Sequence, residues 1–465
     1  MISRLLAVKV LNTALATGAD FAEIYLEETV STTLSLDTGK IESIGSNISY
    51  GAGIRLFKKL QSVYGYTNDL SAKGLVKLAQ SLSKSFSGEA IIDVGRIEKV
   101  RVKKHHQSQV PLALVSKEDK IKFMKELSQI MKDYDPRIVR TQVMFSNNDK
   151  KVTIFNSDNK EFHDVRSRGR VYLLAVASAK GQIETSGEGP GAQAGMEYFT
   201  DKVDMKAKAL EIAKTAVLML DAAECPSGKM PVVIGNGFGG VIFHEACGHA
   251  LEATSVAKKL SVFSDKLGTQ IASELVTAID DGTIENGWGS GNIDDEGTPT
   301  RKNVLIEKGI LKSYLVDDFN GRRMNSKGNG ASRRQNYRYE PTSRMSNTYI
   351  ANGTSTPEQI IAETKFGLYA KSMGGGSVNP ATGDFNFSVS EAYMIRDGKI
   401  AEPVKGATLI GNGADILKKI DRVANDLERA QGMCGSVSGS IPVDVGQPTI
   451  RVSEITVGGR GGAIQ

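Results

Sequence analysis

The sequence predicts an α+β protein in two parts: an α/β-type region over 1–220 and a mainly antiparallel β domain over 221–465 with inserted helices. Three observations carry this. Residues 1–220 alternate between helical and strand periodicity. The remainder holds 34 of the 49 glycines and is therefore rich in turns. Two hairpin signatures recur there, NVLIE-KG-ILKSYLV around Lys308-Gly309 and EAYMI-RDG-KIAEP around Asp397-Gly398.

In order, a helix is expected near 2–17, with Leu5, Val8, Leu11 and Leu15 on one face. A strand follows at 21–28, then short strands at 31–36, 40–45 and 51–57, with turns at Asp37-Thr38-Gly39 and Lys58-Lys59. A helix over 71–85 closes this unit of about 1–100. The run Arg101, Lys103, Lys104, His105, His106 reads as a solvated linker or strand edge rather than a nucleic-acid contact. A second unit over about 110–220 starts with a helix at 116–133. Strands follow at 138–146, 151–156 and 170–180, then a Gly-rich loop from Gly187 to Gly195 and an amphipathic helix at 203–220. Pro226-Ser227-Gly228 marks a turn, and the main boundary falls near 221.

Composition excludes several classes. Apolar residues at 40% and charged residues at 24% are ordinary for a globular chain and rule out disorder. A net charge of +5 falls short of a dedicated nucleic-acid binder, so no direct nucleic-acid binding is expected. No stretch approaches the ~18 apolar residues of a membrane span. Arg4 followed by LLAVKVLNTALA resembles a signal peptide, but Lys9 and Asn12 interrupt it. Three cysteines make no disulfide framework. A cytoplasmic protein is expected.

The chemistry concentrates in His244-Glu245-Ala246-Cys247-Gly248-His249, which holds two of the five histidines. Two neutral imidazoles suit a borderline-soft dication, above all zinc. A carboxylate beside a ligand can act as general base on a metal-bound water. The spacing is i, i+5, which on a regular α-helix sets the imidazoles about 140° apart. A π-bulge would bring them together, and Gly248 would ease the distortion.

Upstream, Gly235-Asn236-Gly237-Phe238-Gly239-Gly240 formally matches a dinucleotide fingerprint. No acidic residue closes a second strand about 20 residues on, so the match is weak. The glycines read instead as a tight strand-to-helix turn leaving room for substrate backbone. The third ligand has several candidates: Cys434, Cys247, Cys225, His163 and carboxylates including Glu252. Cys434 lies in a glycine-flanked segment, Gly432-Met433-Cys434-Gly435-Ser436, read as a flexible loop.

The stretch MPVVIGNGFGGVIFHEACGHALEA resembles the metal-binding signature of the TldD/PmbA metallopeptidases. The resemblance continues through Asp294-Asp295-Glu296-Gly297-Thr298-Pro299, Asn347-Thr348-Tyr349, Gly374-Gly375-Gly376, VKGATLIGNG, the GMCGS segment and PVDVGQPT. The intact His-Glu-x-x-x-His resembles the metal-bearing TldD type rather than the PmbA type. The resemblance implies a zinc peptidase acting on unfolded or short peptides, with one zinc per chain. It implies His244, His249 and Cys434 as ligands and Glu245 as the catalytic glutamate. It also implies pairing with a PmbA-type subunit, to which a self-dimer is the alternative.

Extended peptides bind exposed strand edges with little sequence demand. Gly374, Gly375 and Gly376 are candidates for lying beside such an edge, and a plain loop is the other reading of the run. Tyr314, Tyr337, Arg333 and Tyr393 are candidates for a second oxyanion donor, each also readable as a packing residue. A regulatory binding protein with a structural metal, and a hydrolase of non-peptide amides, are the competing readings.

Overall fold

The computed structural model describes residues 2–379 and 382–464. Ser3 caps the first helix, Arg4–Leu15, by accepting a hydrogen bond from the Leu6 N–H. Its buried stripe is Ala7, Val10, Leu11, Ala14 and Leu15. Leu5, expected on that stripe, is 85% exposed. The alanines make the closer packing face, and Leu5 is left outside it.

The strands near the N-terminus are longer than expected. Phe21–Asp37 and Lys40–Lys58 form one hairpin over the regions read as four short strands. Its turn is Thr38-Gly39, both in the left-handed region. Likewise 138–146 and 151–156 fuse into Ile138–Asn156. The polar stretch Asn147 to Lys150 does not turn, because Phe21–Asp37 and Lys160–Ala179 pair with it from both sides. Regions 1–100 and 110–220 thus share one sheet, in the order 61–67, 40–58, 21–37, 138–156, 160–179, 98–99.

The alternation of side chains along Phe21–Asp37 explains what covers this sheet. Ala22, Ile24 and Leu26 pack with helices Arg4–Leu15 and Ala72–Ser83. Leu34 and Leu36 lie in a second cluster with helices Lys117–Asp133 and Met205–Leu220. Glu23, Tyr25 and Glu27 face the other way, toward the C-terminal part. In the linker Arg101, Lys103 and Lys104 are exposed as expected, but His106 Nδ1 accepts from the Asn286 N–H at 3.1 Å.

In the C-terminal part, Gly228–Ile234, Phe366–Val378, Asp384–Arg396, Thr408–Asn412 and Ile450–Gly458 pair in a closed ring of five strands. A second sheet runs 310–311, 302–307, 278–281, 347–350, 439–447, 428–436. Both expected hairpin turns are present, with Lys308, Gly309, Asp397 and Gly398 at positive φ. The class is α+β.

The Asp294–Pro299 motif docks the two parts. Arg55 reaches Glu296 at 2.6 Å and Glu23 at 3.2 Å. Arg166 reaches Asp295 at 2.6 Å, and Arg334 reaches Glu23 at 2.7 Å. All of these groups are buried.

Candidate metal centre

The strand Gly228–Ile234 runs straight into the glycine-rich turn. A Cβ on Gly235 would meet Lys371 O at 2.3 Å, and one on Gly240 would meet the Gly446 backbone at 2.5 Å. The expected room for substrate is therefore filled by the chain's own strands. The glycines permit close packing and neither cradle a phosphate nor hold a space open.

The chain then passes through Gly237–Gly240, Val241–Phe243, a π-helical turn at His244–Gly248, and a tighter 3₁₀ turn at His249–Leu251. The His249 N–H donates to His244 O, the i→i+5 bond of a π turn. The bulge required by the i, i+5 spacing is present. Gly248 serves a different purpose from the one expected. Its backbone is ordinarily helical, with φ −57 and ψ −49, but a Cβ there would lie 2.2 Å from Met345 Sδ.

The π turn sets the two imidazole rings 5.0 Å apart and nearly perpendicular. Cys434 completes the group from the edge strand Glu428–Ser436, where it pairs opposite Ile441. The segment is thus an ordered strand and not the flexible loop expected. Cys434 Sγ lies 3.3 Å from His244 Nε2 and 3.2 Å from His249 Nε2. The three donor atoms lie within 4.8 Å of one another. A tetrahedral zinc with ordinary Zn–S and Zn–N bonds sets N and S about 3.5 Å apart, so these residues fit the ion. Three protein donors leave a fourth position, as in catalytic sites.

Around the donors, His249 Nδ1 is 3.2 Å from Glu252 Oε1. Glu252 is therefore an outer partner of the ligand, the usual carboxylate–histidine arrangement. His244 Nδ1 is buried with no hydrogen-bond partner among the described residues. Glu245 Oε2 lies 3.6 Å from His249 Nε2. Burial, reinforced by the positive charge of His249, pulls the pKa of His244 well down, which favours the neutral imidazole, the form able to ligate a metal. Burial pulls His249 down as well, but Glu252 and Cys434 outweigh it and the net shift is upward. Burial raises Glu245 against the opposing charge of His249.

The other ligand candidates lie elsewhere. Cys247 points to Gly413 O at 3.4 Å inside the core, where burial pushes its thiol up. Cys225 points to Pro226 O, its pKa raised by burial to about 11. His163 sits on the N-terminal sheet against Glu161 at 2.6 Å. The candidate oxyanion donors have other partners, although the Arg333 charge is felt at His244. Tyr314 donates to Phe263 O, Tyr393 to Glu391, and Arg333 to Met345 O and Pro442 O. Tyr337 Oη accepts from Arg338.

The glycine run lies on Phe366–Val378 against Asp384–Arg396. A Cβ on Gly374 would meet Ser388 Oγ at 2.4 Å, and one on Gly376 would meet Asn386 O at 2.2 Å. A Cβ on Gly375 would meet nothing within 4 Å. Arg344, beside the site, gave no periodic or motif signal in the sequence.

Paired imidazoles, a thiol and an adjacent carboxylate at one partly buried point are the residue set of a metal-binding centre of the hydrolytic kind. The chain matches family models for the PmbA/TldA metallopeptidase domain 1 over 22–85, the central domain over 110–220 and the C-terminal domain over 227–459. It is 36% identical over 448 residues to a protein of Haemophilus influenzae named Metalloprotease TldD homolog, spanning 95% of this chain and 93% of that one. It is 34% identical over 452 residues to a metalloprotease of Methanocaldococcus jannaschii, spanning 93% and 96%. The solved structure of TldE from Thermococcus kodakarensis superposes with a TM-score of 0.76 at 18% identity, covering 97% of this chain and 99% of that one. A Thermotoga maritima structure described as a candidate modulator of a DNA gyrase gives 0.78 at 20% identity, covering 94% and 96%. The chain belongs to the PmbA/TldD metallopeptidase family.

Proposed function

We propose that this protein is a zinc-dependent peptidase of unfolded or short peptides, with one zinc per chain held by His244, His249 and Cys434. The observation that carries the reading is the convergence of His244 Nε2, His249 Nε2 and Cys434 Sγ, with the Glu245 carboxylate alongside. When bound, zinc supplies Lewis acidity, lowering the pKa of a water and polarising the scissile carbonyl. Glu245 takes the water proton on its carboxylate and later delivers it to the leaving amine nitrogen. Its burial-raised pKa suits a group that must carry that proton between the two steps. Glu252 orients His249 and fixes which of its nitrogens faces the site.

Extended peptides pair with a strand edge near Gly374, Gly375 and Gly376 in this reading, and the open space at Gly375 supports it. The working partner is a PmbA-type subunit, or a second copy of this chain. The compartment is the cytoplasm: all three cysteines are free. No helix among the described residues is long and apolar enough to cross a membrane.

The test is cleavage of an unstructured peptide by zinc-loaded protein and its Glu245→Gln variant, each with and without a PmbA-type subunit. The variant is expected to keep its zinc and lose roughly 10²–10⁴-fold in turnover. Equal cleavage by parent and variant removes Glu245 as the base. No cleavage in any arm, with zinc bound, favours a binding protein with a structural metal.

A further inference from the structure

The metal centre is assembled from two distant pieces of chain. The histidines lie on one helical turn, and Cys434 sits 185 residues beyond His249 on an edge strand. A single fully buried side chain, Arg344, touches the supports of both. Its Nη2 donates to Cys434 O at 2.6 Å. Its Nη1 donates to Ser438 Oγ at 2.9 Å and Gly439 O at 3.0 Å, across the turn that follows Cys434. Its Nε has no hydrogen-bond partner among the described residues and lies 4.0 Å from Glu252 Oε1. Glu252 in turn holds His249 Nδ1 at 3.2 Å.

We propose that Arg344 is the positioning residue that joins the two halves of the metal centre, fixing the Cys434 backbone with one end of its guanidinium and the Glu252–His249 pair with the other. The proposal rests on the metal reading above and adds to it a device for holding the third ligand. Contacts run from Cys434 O through Arg344 and Glu252 to His249, and return through the Cys434 Sγ to His249 Nε2 approach of 3.2 Å.

The chemistry asks for an arginine. The planar fork satisfies three acceptors of the hairpin in fixed directions while its Nε edge faces a carboxylate. An ammonium is a point charge on a flexible stem and cannot span both. The backbone around Arg344 is itself held: its N–H donates to Ala331 O at 2.8 Å, and the preceding Ser343 N–H donates to Asp317 at 3.0 Å. The guanidinium is thus presented from a fixed base. Its buried charge faces one carboxylate within 4 Å among the described residues, that of Glu252.

A purely structural arginine would lower the unfolding midpoint and leave the zinc affinity of the folded molecules unchanged. A positioning arginine changes that affinity. The experiment titrates full-length parent, Arg344→Lys, Glu252→Gln and Ser438→Ala with Zn²⁺ against a chromophoric chelator. Co²⁺ substitution reads the thiolate-to-metal charge-transfer band, and melting of the apo proteins is the folding control. Arg344→Lys is expected to weaken Zn²⁺ binding roughly 10–100-fold and to shift or weaken the cobalt–thiolate band. Glu252→Gln changes affinity in the same direction, and an Arg344→Lys/Glu252→Gln double variant, titrated alongside, loses less than the sum of the two single losses.

A folded Arg344→Lys protein that binds Zn²⁺ within about twofold of the parent, with an unchanged cobalt band, overturns the proposal. If Arg344→Lys does not fold, Ser438→Ala decides, because Ser438 meets the Arg344 guanidinium: weakened Zn²⁺ binding supports the proposal and parental binding overturns it. A parent that binds no zinc overturns the metal reading together with this proposal, which separates the two failures.

Discussion

The molecule contains two buried polar clusters of opposite design. At the seam between the N-terminal sheet and the C-terminal part, arginines are set against carboxylates, and burial with the neighbouring Asp318 and Asp317 pushes the Glu296 carboxyl well up despite Arg55. Arg55 lies between Glu23 and Glu296, Arg334 reaches Glu23, and Arg166 lies between Asp164 and Asp295. At the metal centre, two imidazoles and a thiol converge, and His244 Nδ1 has no hydrogen-bond partner among the described residues. The difference reflects what each cluster must do. Buried charges that stay charged need partners, because an unpaired one costs several kcal/mol. Donors meant for a dication must point at a common space. The seam's carboxylates are met by guanidinium groups of the chain itself, although Arg55 Nε and Nη1 and Arg334 Nε have no hydrogen-bond partner among the described residues, whereas the centre has donor atoms placed to hold an ion.

The seam predicts the largest effect. Arg334→Ala leaves Glu23 short of a cation at a buried position and is expected to cost about 3–5 kcal/mol in denaturant unfolding. Zinc affinity measured on the folded fraction should change little. A cost below about 1 kcal/mol would show that the seam is not a matched network.

Next, Cys434→Ala should weaken zinc binding by at least ~100-fold, about 2.7 kcal/mol, while Cys247→Ala leaves it near parental. Equal zinc content in the two variants would remove Cys434 from the centre.

A smaller effect tests the seam by pH. Burial alone would raise the Asp295 pKa, but Arg166, Arg334 and Lys150 outweigh it and hold the carboxyl at about 2. Its folded pKa is depressed, so its stabilisation is present above the ordinary carboxylate range and is lost as pH falls through about 2. Asp295→Asn is expected to cost about 2 kcal/mol at neutral pH, with the gap to the parent closing on acidification below ~4. A gap that does not change with pH would mean that charge is not what Asp295 supplies.

The smallest effect concerns the glycine run. Gly375→Ala meets open space and should stay within about 0.5 kcal/mol of parental stability. Gly376→Ala meets Asn386 O and should cost more. If Gly375→Ala raises KM for peptide at unchanged stability, the run borders the substrate; an unchanged KM leaves it a packing feature of the strand.

Much of the centre was legible because its helical half is local. The i, i+5 spacing of His244 and His249 requires a π turn if both are to reach one ion, and that turn is present. The hairpin turns at Lys308-Gly309 and Asp397-Gly398 were readable for the same reason, since positive φ favours particular residues at particular positions. Other features were not legible. The polar stretch Asn147 to Lys150 looks like a break between strands, yet pairing from both sides carries the strand through it. Gly248 looks like a concession to a distorted helix, yet what excludes a side chain there is Met345, almost a hundred residues away.

The sequence by itself therefore determined the α+β class, the donor types, and the geometry of any part whose residues lie within a few positions of one another. Backbone spacing and turn preferences act over one or two helical turns and need no distant partner. Tertiary structure alone decided how far the strands run, which side of the sheet carries the docking charges, and that Arg344 stands between the Cys434 carbonyl and Glu252. From the residues alone, Cys434 was one of several third-ligand candidates. The register that sets it opposite Ile441, on a strand facing the π turn, is what brings its thiol beside the two imidazoles. Such meetings depend on sheet register and core packing, which are summed over the whole chain and are written in no short stretch of it.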